Sequence, residues 1–396
     1  MQGSAAHVYH LKRNMIYWSG IMRKGSYIAI EGGRQAFVPP KLTPSVPVRI
    51  SERHMALLAE AERALGELNA VWSAFDDPWT LLWLYFRKEA VESSAIEGTQ
   101  TTVSGLLETE ASPGVMDPAR EEVANYFAAL RAGIEALNRL PVSSRLIRDL
   151  HRTLLAGKVR GYWRAPGEFR RQQNFIGGSG RGIEDAAYIP PPPQFVEELM
   201  GDLERFINES ELPASLVSAI AHAQFELIHP FMDGNGRVGR LLIILILVAR
   251  GVLRYPAIYI SAYFLKNREE YYARLGAISE AGDWDGWTSF FLAGLAESAR
   301  ASIATAERVR SMMREHGRIL AQVSPKYASR IARFLLKQPI FTTPQLKEEL
   351  GIRSAPQAWH MVNRMKAAGL IAPVYSGRRR NILYAYTELI RAFERE

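Results

Sequence analysis

The chain has 396 residues, 47% of them hydrophobic and 23% charged, and contains no cysteine. This is globular composition with material for two or three domains, and it excludes disulfides and cysteine-ligated metals. The longest apolar run, LLIILILVA, is about half of what a bilayer needs, so no membrane span is predicted. The lack of cysteine and of a basic-then-apolar start fits a cytoplasmic protein. Met22 is an alternative start, and no function is assigned to the first forty residues. The net charge of +8 is uneven: from Pro325 onward there are 13 Lys/Arg and 5 Asp/Glu, so the last 72 residues hold the whole excess. That asymmetry predicts a separate module that meets something anionic.

Residues 1–47 form a poorly defined lead-in, marked by prolines around 41–48. Apolar residues spaced by three and four predict a helix through HMALLAEAERALGELNAV and a second through LLWLYFRKEAVESSAIEG, ending at Gly98. Two more helices follow, REEVANYFAALRAGIEALNRL and SSRLIRDLHRTLLAG. The Gly- and Pro-rich stretch from Gly161 to Pro193 carries β-prone pieces at QNFIG and AAYIP and reads as a hairpin with an irregular tip. FVEELMGDLERFIN, SLVSAIAHAQFELIH and RLLIILILVARGVL are helical, and YPAIYISAYFLKNREEYYARLGAIS precedes long helices that end in a linker. Boundaries are expected at 48–115, 116–300, 301–324 for the linker helix, and 325–396.

The two apolar helices in the middle enclose HPFMDGNGRVGR, from His229 to Arg240. Gly234 and Gly236 let successive amides converge on an anion, and the following helix adds the positive end of its dipole. Arg237 and Arg240 share one face of its first turn, and the guanidinium fork suits phosphate. Asp233 is a hard oxygen ligand where Mg²⁺ on a polyphosphate wants one. His229 titrates near neutrality and can act as a general base. A Walker-type P-loop is excluded because no Lys-Ser/Thr pair follows the glycines, and His222, Glu226 and His229 lack zinc spacing.

HPFMDGNGRVGR resembles the signature of the Fic (Fic/DOC) family at every fixed position. The resemblance implies a mainly α fold: a Fic-type helical core with a β-hairpin flap, plus a small α+β winged-helix domain. It implies a protein adenylyltransferase that moves AMP from ATP to a Ser, Thr or Tyr hydroxyl of a target protein or of itself. In that scheme His229 is the base, Asp233 holds Mg²⁺, and Asn235 with the amides around Gly234 and Gly236 grips the α-phosphate. Arg237 and Arg240 grip the β- and γ-phosphates, Gly239 belongs to the ATP site, and Phe231 anchors the loop inward. Asn267 and Tyr271 would close the base pocket, with Gln224 facing the nucleotide; Tyr272 and Phe264 are assigned to core packing. Ser93 and Glu97, in SSAIEG, are similar to the family's inhibitory motif, which pairs Glu97 with Arg240. Ile176 and Tyr188 are the candidate flap contacts for the target. The same residues also admit AMP removal, with Glu97 orienting a metal-bound water. A homodimer is compatible with the resemblance.

From Ser324 the pattern reads helix, short helix, longer helix and two strands, with Thr343 and Ser354 as N-caps and Gly351 and Gly369 as helix ends. This resembles a winged helix-turn-helix with Ser354–Ala368 as recognition helix and 376–380 as wing tip. Arg353, Gln357, His360 and Arg364 are candidate DNA contacts, and Arg378, Arg379 and Arg380 candidate phosphate contacts. Such modules also dock proteins, so DNA binding and protein docking both stand, as does a transcriptional regulator whose Fic domain is a nucleotide sensor.

Overall fold

The computed structural model describes residues 24–111, 118–177, 182–374 and 382–394. A hairpin of β1 (Ser26–Ala29) and β2 (Gln35–Val38) opens the described chain. Two long helices follow, α1 (Glu52–Ser73) and α2 (Pro78–Ile96). A capping box between Ser51 and His54 starts α1, and Asp77 caps α2 with Pro78 in its first turn. Next come α3 (Val103–Ala111), α4 (Pro118–Ala136) and α5 (Ser144–Leu154).

The central layer is α6 (Pro193–Glu209), α7 (Ala214–Ile228) and α8 (Asn235–Ala249). Almost every residue of α7 and α8 is buried, because helices pack on them from several sides: α1, α6, α10 and α11 on α7, and α2, α4 and α5 on α8. The chain then forms α9 (Ile260–Lys266), α10 (Arg268–Ala281) and α11 (Trp284–Val323). With 40 residues, α11 spans about 60 Å. It packs along α1 and α7 and runs on to the C-terminal elements, so the expected division at 300/301 falls inside one continuous helix.

The C-terminal module comprises α12 (Ala328–Lys337), β3 (Ile340–Thr342), α13 (Thr343–Glu349), α14 (Ala355–Ala367), β4 (Ala372–Val374), β5 (Leu383–Ala385) and α15 (Thr387–Glu394). Its antiparallel sheet has the order β3-β5-β4, the layout of a winged helix. β3 and α15 are additions to the predicted elements. The cap of α13 is Thr342, not Thr343, because Thr342 closes a capping box with Gln345. The module does not hang free. Phe393 of α15 meets Tyr85 of α2 edge-on with ring centroids 5.0 Å apart, Gln345 Nε2 donates to Ala111 O at 3.1 Å, and Arg333 pairs with Asp77 at 3.8 Å.

The described part of the lead-in, residues 24–47, is held by its neighbours. Phe37 N donates to Ile189 O at 2.9 Å, Asp202 accepts from Leu42 N at 2.6 Å, and Gln224 Nε2 donates to Pro40 O at 2.8 Å. Among the described residues, the expected flap hairpin shows one antiparallel bridge, Ile176 to Tyr188. Among the described residues, no helix is long and apolar enough to cross a membrane.

Candidate active site

The loop between α7 and α8 is shaped by its own caps. His229 ends α7 in the left-handed region (φ 49°, ψ 61°), which a non-glycine residue adopts only when held there. Arg170 holds it: Nε donates to His229 O at 2.9 Å, its backbone amide donates to Pro230 O at 2.9 Å, and Nη2 reaches Ile228 O at 3.3 Å. This places a guanidinium on the carbonyl end of α7, where the helix dipole favours a cation. Asn174 Nδ2 donates to Phe231 O at 2.9 Å. His151 stacks on Phe231 at 3.8 Å, accepts from Gly167 N at 2.8 Å through Nδ1, and so carries its proton on Nε2, which donates to Asp233 O at 3.0 Å. Burial lowers the His151 pKa to about 4, so the ring stays neutral in this role.

Asn235 corrects an expectation. Its side chain is buried, with Oδ1 accepting from Phe231 N and Nδ2 donating to Phe231 O, both at 2.8 Å. The amide locks the loop and is not free for a phosphate, which leaves the main-chain groups around Gly234 and Gly236 for that work.

Two buried arginines face this loop from α8. Arg240 donates from Nε to Ser93 Oγ at 2.8 Å, and from Nη2 to Ser93 O at 2.9 Å and Glu97 Oε1 at 2.8 Å. The expected pair of Glu97 with Arg240 is therefore present, and Ser93 joins it on the same guanidinium. Burial pushes the Glu97 carboxyl up, but Arg240, Arg237 and Arg160 pull it down further, and the net pKa lies below the ordinary value. A Cβ at Gly236 would sit 2.3 Å from Glu97 Oε1, so the absence of a side chain there admits the carboxylate to the first turn of α8. Arg237 is fully buried, and none of its three guanidinium nitrogens has a hydrogen-bond partner among the described residues. Its nearest carboxylates, Glu122 and Asp233, stand at 3.6 Å. Such an arrangement is costly unless an anion completes it.

The His229 pKa is lowered to about 4, first by burial and then by Arg170, so its ring is neutral at physiological pH and able to take a proton. Glu226, one turn earlier, has its carboxyl oxygen 4.0 Å from His229 Nδ1, and burial raises its pKa to about 8. Asp233 has a partly exposed side chain whose Oδ1 accepts from Gly234 N at 2.6 Å. No group of three or more His, Cys, Asp or Glu among the described residues is arranged to hold a metal ion by itself. A single carboxylate still fits Mg²⁺, which keeps waters and binds through one or two carboxylates plus substrate phosphates.

Residues 55–135 match the Fic/DOC family N-terminal domain, and residues 141–247 match the Fic/DOC family. The chain therefore carries a Fic/DOC N-terminal domain and a Fic/DOC domain. It is 29% identical over 262 residues to the protein adenylyltransferase Fic of Drosophila grimshawi and 30% identical over 262 residues to that of Drosophila mojavensis, in each case 62% of this chain. The matched stretch is 48% and 46% of those proteins, so the chain spans about half the length of the curated relatives it matches. A Fic family protein from Desulfovibrio desulfuricans G20 shares the fold, with a TM-score of 0.55 at 22% identity over 86% of this chain and 97% of that one.

Within this Fic domain, the base-side assignments change. Tyr271 is buried with its hydroxyl 2.9 Å from His222 Nε2, which makes it a core residue; Tyr272 is the exposed one of the pair. Its hydroxyl lies close enough to Glu97, Arg240 and Glu226 to feel their charges. Asn267 interrupts the helix between α9 and α10 (φ −111°, ψ 38°), and of the two tyrosines after it Tyr271 is the buried one. Asn267 itself is half-buried at that junction and donates to Tyr263 O at 3.0 Å. Phe264 is core, as expected. Gln224 is fully buried and its amide nitrogen serves Pro40, not the loop. Gly239 admits Glu226, whose Oε1 would stand 2.5 Å from a Cβ there. In the flap, Tyr188 donates its hydroxyl to Leu227 O at 2.7 Å, and Ile176 is half-buried. Arg170, Asn174 and His151 were missed because they act on main-chain carbonyls and amides, which leave no spacing pattern. In the winged helix, Arg353, Gln357 and His360 are exposed, whereas Arg364 reaches back to Gln322 O. Arg378, Arg379 and Arg380 lie outside the described residues.

The His229 environment predicts an NMR titration in which the ring stays neutral until the pH approaches about 4. An inflection near 6.5, as for an ordinary histidine, would contradict the described burial.

Proposed function

We propose that the chain is a protein adenylyltransferase held in check by its own α2, transferring AMP from ATP to a Ser, Thr or Tyr hydroxyl of a protein. The observation that carries this reading is Arg237, buried and without a hydrogen-bond partner, beside the glycine-rich start of α8. A polyphosphate supplies the hydrogen-bonding anion that Arg237 lacks among the described residues, and the amides around Gly234 and Gly236 suit its oxygens. The names of the curated relatives support the same class of chemistry.

His229, neutral in the pocket, takes the proton of the incoming hydroxyl as its oxygen attacks the α-phosphorus. The bond to the bridging oxygen breaks, pyrophosphate leaves with that electron pair, and AMP remains as an ester on the target. A positioned base contributes about 10²–10⁴-fold. Arg237 and Arg240 hold the β- and γ-phosphates. Asp233 is the residue that would hold Mg²⁺, which neutralises charge on the phosphates when bound. Glu97 occupies the donors of Arg240 that the γ-phosphate needs, so the resting protein is inhibited. The bridge between Ile176 and Tyr188 spends those residues' amides and carbonyls on each other, so a target segment in extended conformation would pair with the residues beside it.

Incorporation of α-labelled ATP with Mg²⁺ into the purified protein and a cell lysate tests this reading. Glu97→Gly is expected to raise labelling roughly 10- to 100-fold, the worth of a charge-assisted hydrogen bond. Adding His229→Ala should lower it again by about 10²-fold or more. No label with Glu97→Gly would overturn the transferase reading. If the wild type then releases AMP from a pre-labelled protein and Glu97→Gly does not, the site removes AMP instead.

The winged helix is read as a duplex-DNA contact, on the strength of the basic excess after Pro325 and the exposed Arg353, Gln357 and His360. Affinity for duplex should then fall about 40-fold between roughly 50 and 200 mM salt for three phosphate contacts. An absence of binding at the lower salt would refute this and leave protein docking.

A further inference from the structure

We propose that Glu89 and Tyr126 are positioning residues for the brake, setting Arg240 through Ser93 and tying that setting to α9. The inference rests on the proposed inhibitory reading of Glu97.

Glu89 lies about two turns before Glu97 on α2 and is completely buried. Three donors from two other elements converge on it. The Tyr126 hydroxyl of α4 donates to Oε1 at 3.1 Å, Ser261 N donates to Oε2 at 3.1 Å, and the Ser261 hydroxyl donates to Oε1. Ser261 is the second residue of α9, so the carboxylate ties α2 to that helix. The Tyr126 hydroxyl, whose proton goes to Glu89, is also coupled to Ser93, one turn after Glu89 on α2, and Ser93 Oγ, which accepts from Arg240 Nε at 2.8 Å, has its own proton left for Tyr126. The donors therefore run in one direction, from Arg240 to Ser93 to Tyr126 to Glu89. Glu89 is the terminal acceptor, and each hydroxyl is oriented by the one after it.

This carboxyl is an expensive core residue. Burial raises its pKa to about 7 against the pull of its donors and of Arg240. A packed apolar side chain would serve α2 better if stability were its only role. The proposed chemistry does not touch it. What it does accomplish is geometric: Glu97 grips the tip of Arg240, while the Ser93 chain grips Nε and fixes the plane of the guanidinium. α9 leads into Asn267 and α10, so the element that carries Tyr272 shares an anchor with the brake.

The test makes Tyr126→Phe and Glu89→Gln, each with Glu97 present and in the Glu97→Gly background, and measures kcat and KM for ATP with α-labelled nucleotide. With Glu97 present, each change is expected to lower KM for ATP and raise labelling about tenfold, because Ser93 no longer orients Arg240 for Glu97. In the Glu97→Gly background neither should move KM for ATP by more than about twofold. Labelling that falls in both backgrounds, or a KM unchanged with Glu97 present, overturns the proposal and leaves a structural role. Should Glu89→Gln fail to fold, the near-isosteric Tyr126→Phe decides alone. If Glu97→Gly itself incorporates no label, the transferase reading fails separately. Calorimetric binding of a non-hydrolysable ATP analogue to the same variants then decides: tightening only when Glu97 is present supports positioning, and no tightening refutes it.

Discussion

Two guanidinium groups stripped of water at the amide end of one helix demand an anion. Desolvating a charged side chain costs several kcal/mol per ion unless the charge is paired and hydrogen-bonded. Arg240 meets this demand within the chain, through Glu97 and Ser93, and Arg237 meets it only through carboxylates at 3.6 Å. The surrounding structure keeps that end of α8 open to an anion. Gly236 leaves room for an oxygen against the helix, Asn235 is spent on Phe231, and His151 and Arg170 hold the loop by its main chain. The same place therefore accepts either a carboxylate from α2 or a phosphate from solution. Under the proposed function, inhibition and catalysis are one competition for one set of donors.

The helix that supplies the competing carboxylate is held along its length. At its far end Asp77 and Tyr85 touch the winged-helix module, through Arg333 and Phe393. In its middle Glu89 reaches α4 and α9, and at its last turn Ser93 and Glu97 reach α8. The carboxylate is thus presented by an element that senses the base-side segment and the C-terminal module as well as the phosphate loop. α11 joins those regions as a single helix, which is why a division of the chain at residue 300 has no counterpart in the packing.

What was legible in the sequence was whatever left a spacing or a special residue type. The loop from His229 to Arg240 announces itself because glycines, arginines, an acid and a histidine are crowded between two apolar helices. Glu97 could be assigned to Arg240 because SSAIEG resembles the inhibitory motif of the Fic family, whose glutamate pairs with the second arginine of the signature. The Thr342 cap was readable too, since Thr-x-x-Gln is a capping box, and Thr343 merely stands beside it. Other features left no such trace. Arg170, Asn174 and His151 recognise carbonyls and amides, which every residue has. Tyr271 and Tyr272 are neighbours of one residue type, and only the packing after the helix interruption at Asn267 decides which is buried. The β1–β2 hairpin is fixed by contacts to Ile189, more than 150 residues away, and by a turn of two glycines that gave the only local hint.

The central claim is that the Glu97 carboxylate stands where the γ-phosphate of ATP would bind. Calorimetric dissociation constants for ATP and for AMP, measured on the wild type and on Glu97→Gly, test it most directly. The account predicts that ATP binding tightens roughly tenfold or more on loss of Glu97 while AMP, which has no γ-phosphate, changes by less than about twofold. Equal changes for both nucleotides, or none for ATP, would contradict it.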